Sequence, residues 1–215
     1  MQKRHRIFIA INLPEDIKRQ LFAYSQKWPE LPARWTSKNN LHITLEFLGD
    51  LTEEELGEVC VAVKEVAERH NSFSINLNSI SYGPSKKNSL HPHTKRDIEV
   101  LEENYDDSNA RYGVGAKMVW VEGEKPDDLI DLKQDLQEYL LERVKFRPEN
   151  KGFVLHITLA RIREWEWKKI EPEERPEIKE EIDLIFTVES IEVMESELKR
   201  GGPEYTVIES HSFKE

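Results

Sequence analysis

Polar and apolar residues alternate along several stretches of this chain, and between those stretches the apolar residues recur at helical spacing. Arg6 to Leu13 is an apolar, β-rich run closed by Pro14, which predicts a buried strand. Ile17, Leu21 and Tyr24 then follow a helical period across Glu15 to Trp28. Glu15 and Asp16 sit in its favourable first turn, and Pro29 and Pro32 end it. Trp35 to Leu48 returns to a strand pattern, Gly49-Asp50 turns the chain, and Thr52 with Glu55 makes a capping box for a helix to about Arg69. Phe73 to Tyr82 alternates again. Met118 to Val121 reads as a strand, and Leu129, Leu132, Leu136, Leu140 and Val144 draw one apolar stripe along a helix from Asp127 to Val144. Phe153 to Ile162 is a further strand, and Trp165 to Glu181 is a charged, partly helical connection. Ile182 to Met194 and Tyr205 to Phe213 read as two closing strands around the turn Gly201-Gly202-Pro203. The rhythm fails between Ser85 and Gly115, where core candidates are few. That segment reads as an insertion or mobile loop with a short helix near Asp97 to Glu103.

Two of the predicted strands carry the same five residues, Leu-His-Ile-Thr-Leu, as Leu41 to Leu45 and as Leu155 to Leu159. Successive side chains of a strand point to opposite faces. Leu41, Ile43 and Leu45 therefore oppose His42 and Thr44, and Leu155, Ile157 and Leu159 oppose His156 and Thr158. A single histidine on a strand is most often a hydrogen-bonded structural residue. Two, each followed at the same offset by a threonine, point to chemistry. Histidine alone has an unperturbed pKa near neutrality, so a pair supplies one base and one acid at working pH. The element order, with one such strand in each half, suggests an internal duplication.

Composition narrows the picture further. The 215 residues suffice for one domain of two lobes, and a net charge of -11 argues against a broad positive surface for duplex nucleic acid. A local basic site for a phosphate stays compatible with that charge. Cys60 is the only cysteine, so no internal disulfide forms, and its apolar surroundings favour packing over nucleophilic chemistry. No apolar run is long enough to span a membrane, and the basic start at Met1 to Arg6 lacks a cleavage site. A soluble, cytoplasmic protein is expected.

With Arg6 to Pro14, Leu41 to Gly49 and Leu155 to Arg161 on view, the chain resembles the 2H phosphoesterase superfamily, named for its two His-x-Thr/Ser motifs. The closest likeness is to its RNA 2′,3′-cyclic phosphodiesterase branch, also called 2′–5′ RNA ligase. The resemblance covers nearly all of residues 1–215 as one domain, departing mainly at 85–115. It implies an α+β fold of two pseudo-symmetric lobes, with antiparallel sheets lining a central cleft and helices packed outside. It implies His42 as proton donor and His156 as proton acceptor, without metal or other cofactor, in hydrolysis of RNA 2′,3′-cyclic phosphate ends to 2′-phosphates. Reversible 2′–5′ ligation is the activity the family's other name implies. The expected partner is RNA with such an end, tRNA-derived RNA included, bound by a monomer.

Charge developing on the phosphate oxygens needs fixed donors. Thr44 and Thr158 suit that role, as does Arg161, whose guanidinium matches a phosphate in charge and shape. Arg161 lies five residues after His156, so strict alternation points it away from the cleft; a bulge, or a strand ending near Ala160, is needed to turn it back. Phe8 is a candidate for stacking on a base, and Trp35 and Lys38 for lining the cleft. Alternatives are a phosphodiesterase for a small cyclic nucleotide phosphate and a non-catalytic single-stranded RNA-binding module. A metallohydrolase is a weaker reading, because two His-x-Thr pairs lack the third strong ligand of a catalytic zinc site, and His91 and His93 fall in the 85–115 segment.

Overall fold

A computed structural model describes residues 3–84, 116–148 and 153–214. The expected insertion at 85–115, its short helix near Asp97 and the His91-Pro92-His93 stretch lie outside the described residues. Among the described residues nine strands form a single sheet, every neighbouring pair antiparallel, with helices packed against one face.

The chain opens with β1 (His5–Asn12), α1 (Glu15–Ala23) and one 3-10 turn at Tyr24–Gln26, where a helix to Trp28 is expected from the sequence. A short β2 (Ala33–Trp35) and a second 3-10 turn at Lys38–Asn40 precede β3 (His42–Leu51), so the stretch from Trp35 to Leu48 is interrupted. Next come α2 (Glu53–Ala67) and β4 (Phe73–Gly83). The capping box forms, with Glu55 N donating to Thr52 Oγ1 at 3.2 Å and Thr52 N donating to Glu55 Oε2 at 2.8 Å. β5 (Met118–Gly123), α3 (Asp127–Arg143), β6 (His156–Ile162) and the single-turn α4 (Glu164–Trp167) follow. β7 (Lys179–Val188), β8 (Ser190–Lys199) and β9 (Gly202–Ser212) complete the sheet.

The sequence suggests two closing strands, and the structure has three. The segment Ile182 to Met194 divides at Glu189. Val188 still pairs with Phe73 of β4, whereas Ser190 begins a strand that pairs with β9 and then β1. The apolar positions change phase there, from Phe186 and Val188 to Ile191 and Val193, each of them buried.

Strand order runs β7-β4-β5-β6-β3-β1-β8-β9, with β2 also on β6. Read outward from the centre, the two halves match. Each has a His-Thr strand innermost, then the strand joined to it through a helix, then a strand borrowed from the other end of the topology. The halves touch in the ladder through one pair, Ile43 with Ile157. The expected two sheets are thus two halves of one curled sheet, parted beyond that pair.

The repeated leucines and isoleucines explain why the seam holds. Leu41, Ile43, Leu155 and Ile157 are each at most 1% exposed, packed into the core that Ile9, Ile11 and the leucine stripe of α3 share. At roughly 1.5–3 kcal/mol for each fully buried aliphatic side chain, this packing outweighs what one ladder pair contributes.

Candidate active site

His42 and His156 are the first residues of β3 and β6, and both line one cleft of about 1050 Å³ together with Thr44, Thr158 and Arg161. The pair Ile43–Ile157 sets them crosswise: in an antiparallel pairing His42 lies toward Thr158 and Thr44 toward His156.

The two histidines are held in the same way. His42 Nδ1 lies 2.7 Å from the carbonyl oxygen of Asn40, and His156 Nδ1 lies 2.9 Å from that of Val154, each two residues upstream. A carbonyl oxygen only accepts, so Nδ1 carries the hydrogen in both rings, and Nε2 is the nitrogen that exchanges a proton. At His42 this Nε2 takes a hydrogen bond from Thr44 Oγ1 at 2.9 Å.

The ring supports differ. His42 packs against Phe8 (centroids 5.0 Å apart) and meets Tyr205 edge-on at 5.1 Å. His156 stacks on Trp120 at 4.0 Å with 28° between the planes. Trp120 can lie there because residue 83 is glycine: a β-carbon at Gly83 would come 2.3 Å from the indole. Burial pushes the His42 imidazolium down to about 4 from the usual 6.5. The hydrogen bond to Asn40 works against that shift, while His156, Lys18 and Arg161 add to it. His42 is therefore neutral at pH 7.

A bulge returns Arg161 to the cleft. In the pairing of β5 with β6, Trp120 faces Thr158 and Val119 faces Ala160, so Leu159 is the extra residue. Parity resets and Arg161 joins His156 and Thr158. The same happens in β3, where Ala10 faces Thr44 and Ile9 faces Glu46, leaving Leu45 extra. Both bulges fall on the last leucine of the repeated pentapeptide. Arg161 Nη1 donates to Met118 Sδ at 3.5 Å, and Thr158 Oγ1 to the same sulfur at 3.9 Å. A thioether is a weak acceptor, so both donors are available to an anion.

Phe8, expected to stack on a base, is only 2% exposed, with its ring occupied by His42, Tyr205 and Phe47. It orients His42, and the open aromatic surface belongs to Phe47, at 54% exposure. Trp35 lines the cleft as expected and stacks on Trp28, with centroids 6.3 Å apart. Lys38 does not line it, because its ammonium pairs with Glu15. Cys60 lies away from the site in a groove with Glu209, where burial raises its thiol to about 11 and makes it a poor nucleophile. Among the described residues no three His, Cys, Asp or Glu side chains gather to hold a metal ion, and no helix is long and apolar enough to cross a membrane.

Sequence reasoning missed Arg34, Met118, Trp120 and Tyr205, all on the cleft wall. The signal for Arg34 was its place beside Trp35. The others are strand residues whose facing depends on pairing partners far along the chain.

The model of the family described as LigT like phosphoesterase matches residues 11–92 and 119–205. Curated relatives include an RNA 2′,3′-cyclic phosphodiesterase of Thermotoga maritima, 26% identical over 214 residues that span 97% of this chain and 96% of the relative. One from Thermus thermophilus is 28% identical over 220 residues, 97% of this chain and 90% of the relative. A crystal structure of a Thermus thermophilus protein superposes with a TM-score of 0.71 at 26% identity, covering 97% of both chains. Escherichia coli LigT complexed with 3′-AMP gives 0.68 at 21% identity over 99% of this chain and all of the other, a likeness of fold.

Proposed function

From the premise that the chain belongs to the LigT-like phosphoesterase family, we propose that it hydrolyses RNA 2′,3′-cyclic phosphate ends to 2′-phosphates with His42 and His156 as an acid–base pair. One observation carries the mechanism: both rings are pinned through Nδ1 to a carbonyl two residues upstream, which turns two Nε2 atoms into one cleft beside two hydroxyls and Arg161. In the reaction a water oxygen forms a bond to phosphorus while His156 takes its proton. The bond from phosphorus to the 3′-oxygen breaks, and His42 supplies the proton that oxygen needs. Thr44, Thr158 and Arg161 meet the charge on the non-bridging oxygens. The Trp120 face attracts the His156 ring once it is cationic, which supports the acceptor role.

The donor role requires His42 to hold a proton that its burial does not favour. A bound phosphate raises the affinity of His42 for a proton from solvent, by bringing a negative charge and by pairing with Arg161, one of the cations that holds His42 down. The same low affinity for protons favours a second reading with the roles exchanged, His42 as base and His156 as acid. An aryl phosphodiester separates the two, since a phenolate leaves without a proton. The variant lacking the acid then loses little and the variant lacking the base loses fully.

The direct test is RNA ending in a 2′,3′-cyclic phosphate, incubated with and without chelator, with the product identified. A 2′-phosphate formed at equal rates in both is expected. No turnover, or turnover that chelation abolishes and a divalent metal restores, overturns the reading.

A further inference from the structure

Arg34 and Arg161 are direct partners across the β2–β6 pairing, and both line the cleft. Like charges opposite one another on adjacent strands repel, because their β-carbons stand only about 4.5–5.5 Å apart. Proteins usually relieve such a pair with a carboxylate. Here, among the described residues, Arg161 donates to the Met118 thioether alone and Arg34 has no ion-pair partner. Among those residues the one carboxylate on the cleft wall, Glu46, is 2% exposed and already paired with Lys133. A chain of net charge -11 therefore places two guanidiniums side by side in its central cleft with no carboxylate paired to either among the described residues.

The two diverge. Arg161 turns toward Met118 on β5, in the half that carries His156. Arg34 turns the other way, its Nη1 lying 3.0 Å from where a β-carbon of Gly202 would be, in the β8–β9 turn of the opposite half. Gly202 has φ +124° and no side chain, so the turn passes close beneath the guanidinium. That turn is fixed by Asn40, whose Nδ2 donates to Pro203 O at 2.8 Å. Two guanidiniums pointing apart suit two anions better than one.

We propose that Arg34 forms a second phosphate site, separate from the one at Arg161, that holds the phosphodiester one nucleotide upstream of the reacting end. This rests on the reading of the cleft as an RNA-end phosphodiesterase site, and it makes the preferred substrate an oligonucleotide. A guanidinium fork matches a phosphodiester in shape as well as charge.

The test compares a uridine 2′,3′-cyclic phosphate with a UpU dinucleotide bearing the same cyclic end, in wild type and in Arg34→Ala and Arg34→Lys. The ratio of kcat/KM for dinucleotide over mononucleotide should fall about tenfold in Arg34→Ala, mainly through KM, and part of it should return in Arg34→Lys. Arg34 is exposed, so both variants should unfold at the wild-type temperature. An unchanged ratio, whether both substrates lose equally or neither does, overturns the second site. Equilibrium binding of uridine 2′-monophosphate and of UpU 2′-phosphate gives the same comparison without turnover. If wild type binds these ligands but cleaves neither cyclic substrate, the enzymatic reading fails, and the affinity ratio still decides the site: a tenfold fall in Arg34→Ala supports it and no fall overturns it.

Discussion

Phe47 holds in β3 the position that Arg161 holds in β6. Each follows by two residues the leucine that a bulge sets aside, Leu45 or Leu159, and each faces the cleft. The matching bulges thus deliver a phenyl ring to one half and a guanidinium to the other. Symmetry in the backbone is broken in the chemistry, and the proposed phosphate site lies on the Arg161 side of the cleft.

Arg161→Ala should then lower kcat/KM on a cyclic phosphate by about 10²–10³, the usual cost of removing one donor to developing charge. Phe47→Ala should cost less than about tenfold, because an exposed ring contributes contact and no charge. Steady-state rates on one substrate check both. A larger loss in Phe47→Ala than in Arg161→Ala would reverse the assigned direction.

Because both histidines present Nε2 to the same cleft, each should matter and neither should act alone. His42→Ala and His156→Ala are expected to lose about 10²–10⁴ in turnover while keeping the wild-type circular dichroism spectrum. Residues that act as a unit are non-additive, so the double variant should lose less than the product of the single losses. Near-normal turnover in either single variant would return that histidine to a structural role.

His42 should also leave a mark on stability. Its folded pKa is about 4 against 6.5 when exposed. Above pH 6.5 neither state holds the proton and nothing changes. As the pH falls from 6.5 to 4 the unfolded chain takes up a proton that the folded protein refuses, so stability drops. Over that window the loss approaches about 3 kcal/mol, and it levels off below pH 4. Urea unfolding at pH 7 and pH 4.5 should show His42→Gln losing distinctly less than wild type between the two. Equal losses would show that the ring titrates normally. Inorganic phosphate should move the His42 proton resonances to a higher titration midpoint.

Gly83→Ala tests the support beneath His156. The added methyl would overlap the Trp120 ring, and overpacking of this kind costs about 1–3 kcal/mol. Melting temperature should fall, and kcat should fall with little change in KM, because His156 is displaced while the phosphate donors stay. A variant that melts lower with unaltered kcat would show that the stack is structural only.

The pentapeptides made the core of the site legible, since alternation alone put His42 with Thr44 and His156 with Thr158. They could not reveal the bulges. Leu45 and Leu159 are set aside by their pairing with β1 and β5, and no local preference in a leucine announces that. Arg161 needed a bulge on grounds of parity, and the register supplies one. A phenylalanine in a strand gives no sign of which neighbours will cover it; at Phe8 part of the cover comes from Tyr205, some two hundred residues away. Arg34 was overlooked for a related reason, because its partner exists only where β2 takes the place beside β6 that β3 has left.

The exchange of strands between halves governs how the molecule assembles. β4 follows α2 in the chain yet completes the half that holds β5, and β8 completes the half that holds β1. Neither half is contiguous in sequence, so neither can be separated as a working fragment. β1 waits for a neighbour that lies more than 180 residues further along the chain, where Phe8 meets Met194. Closing loops of that length comes late and makes folding slow. The two histidines therefore reach a common cleft only when nearly the whole sheet has formed, and catalytic competence should appear in a refolding experiment with the last kinetic phase.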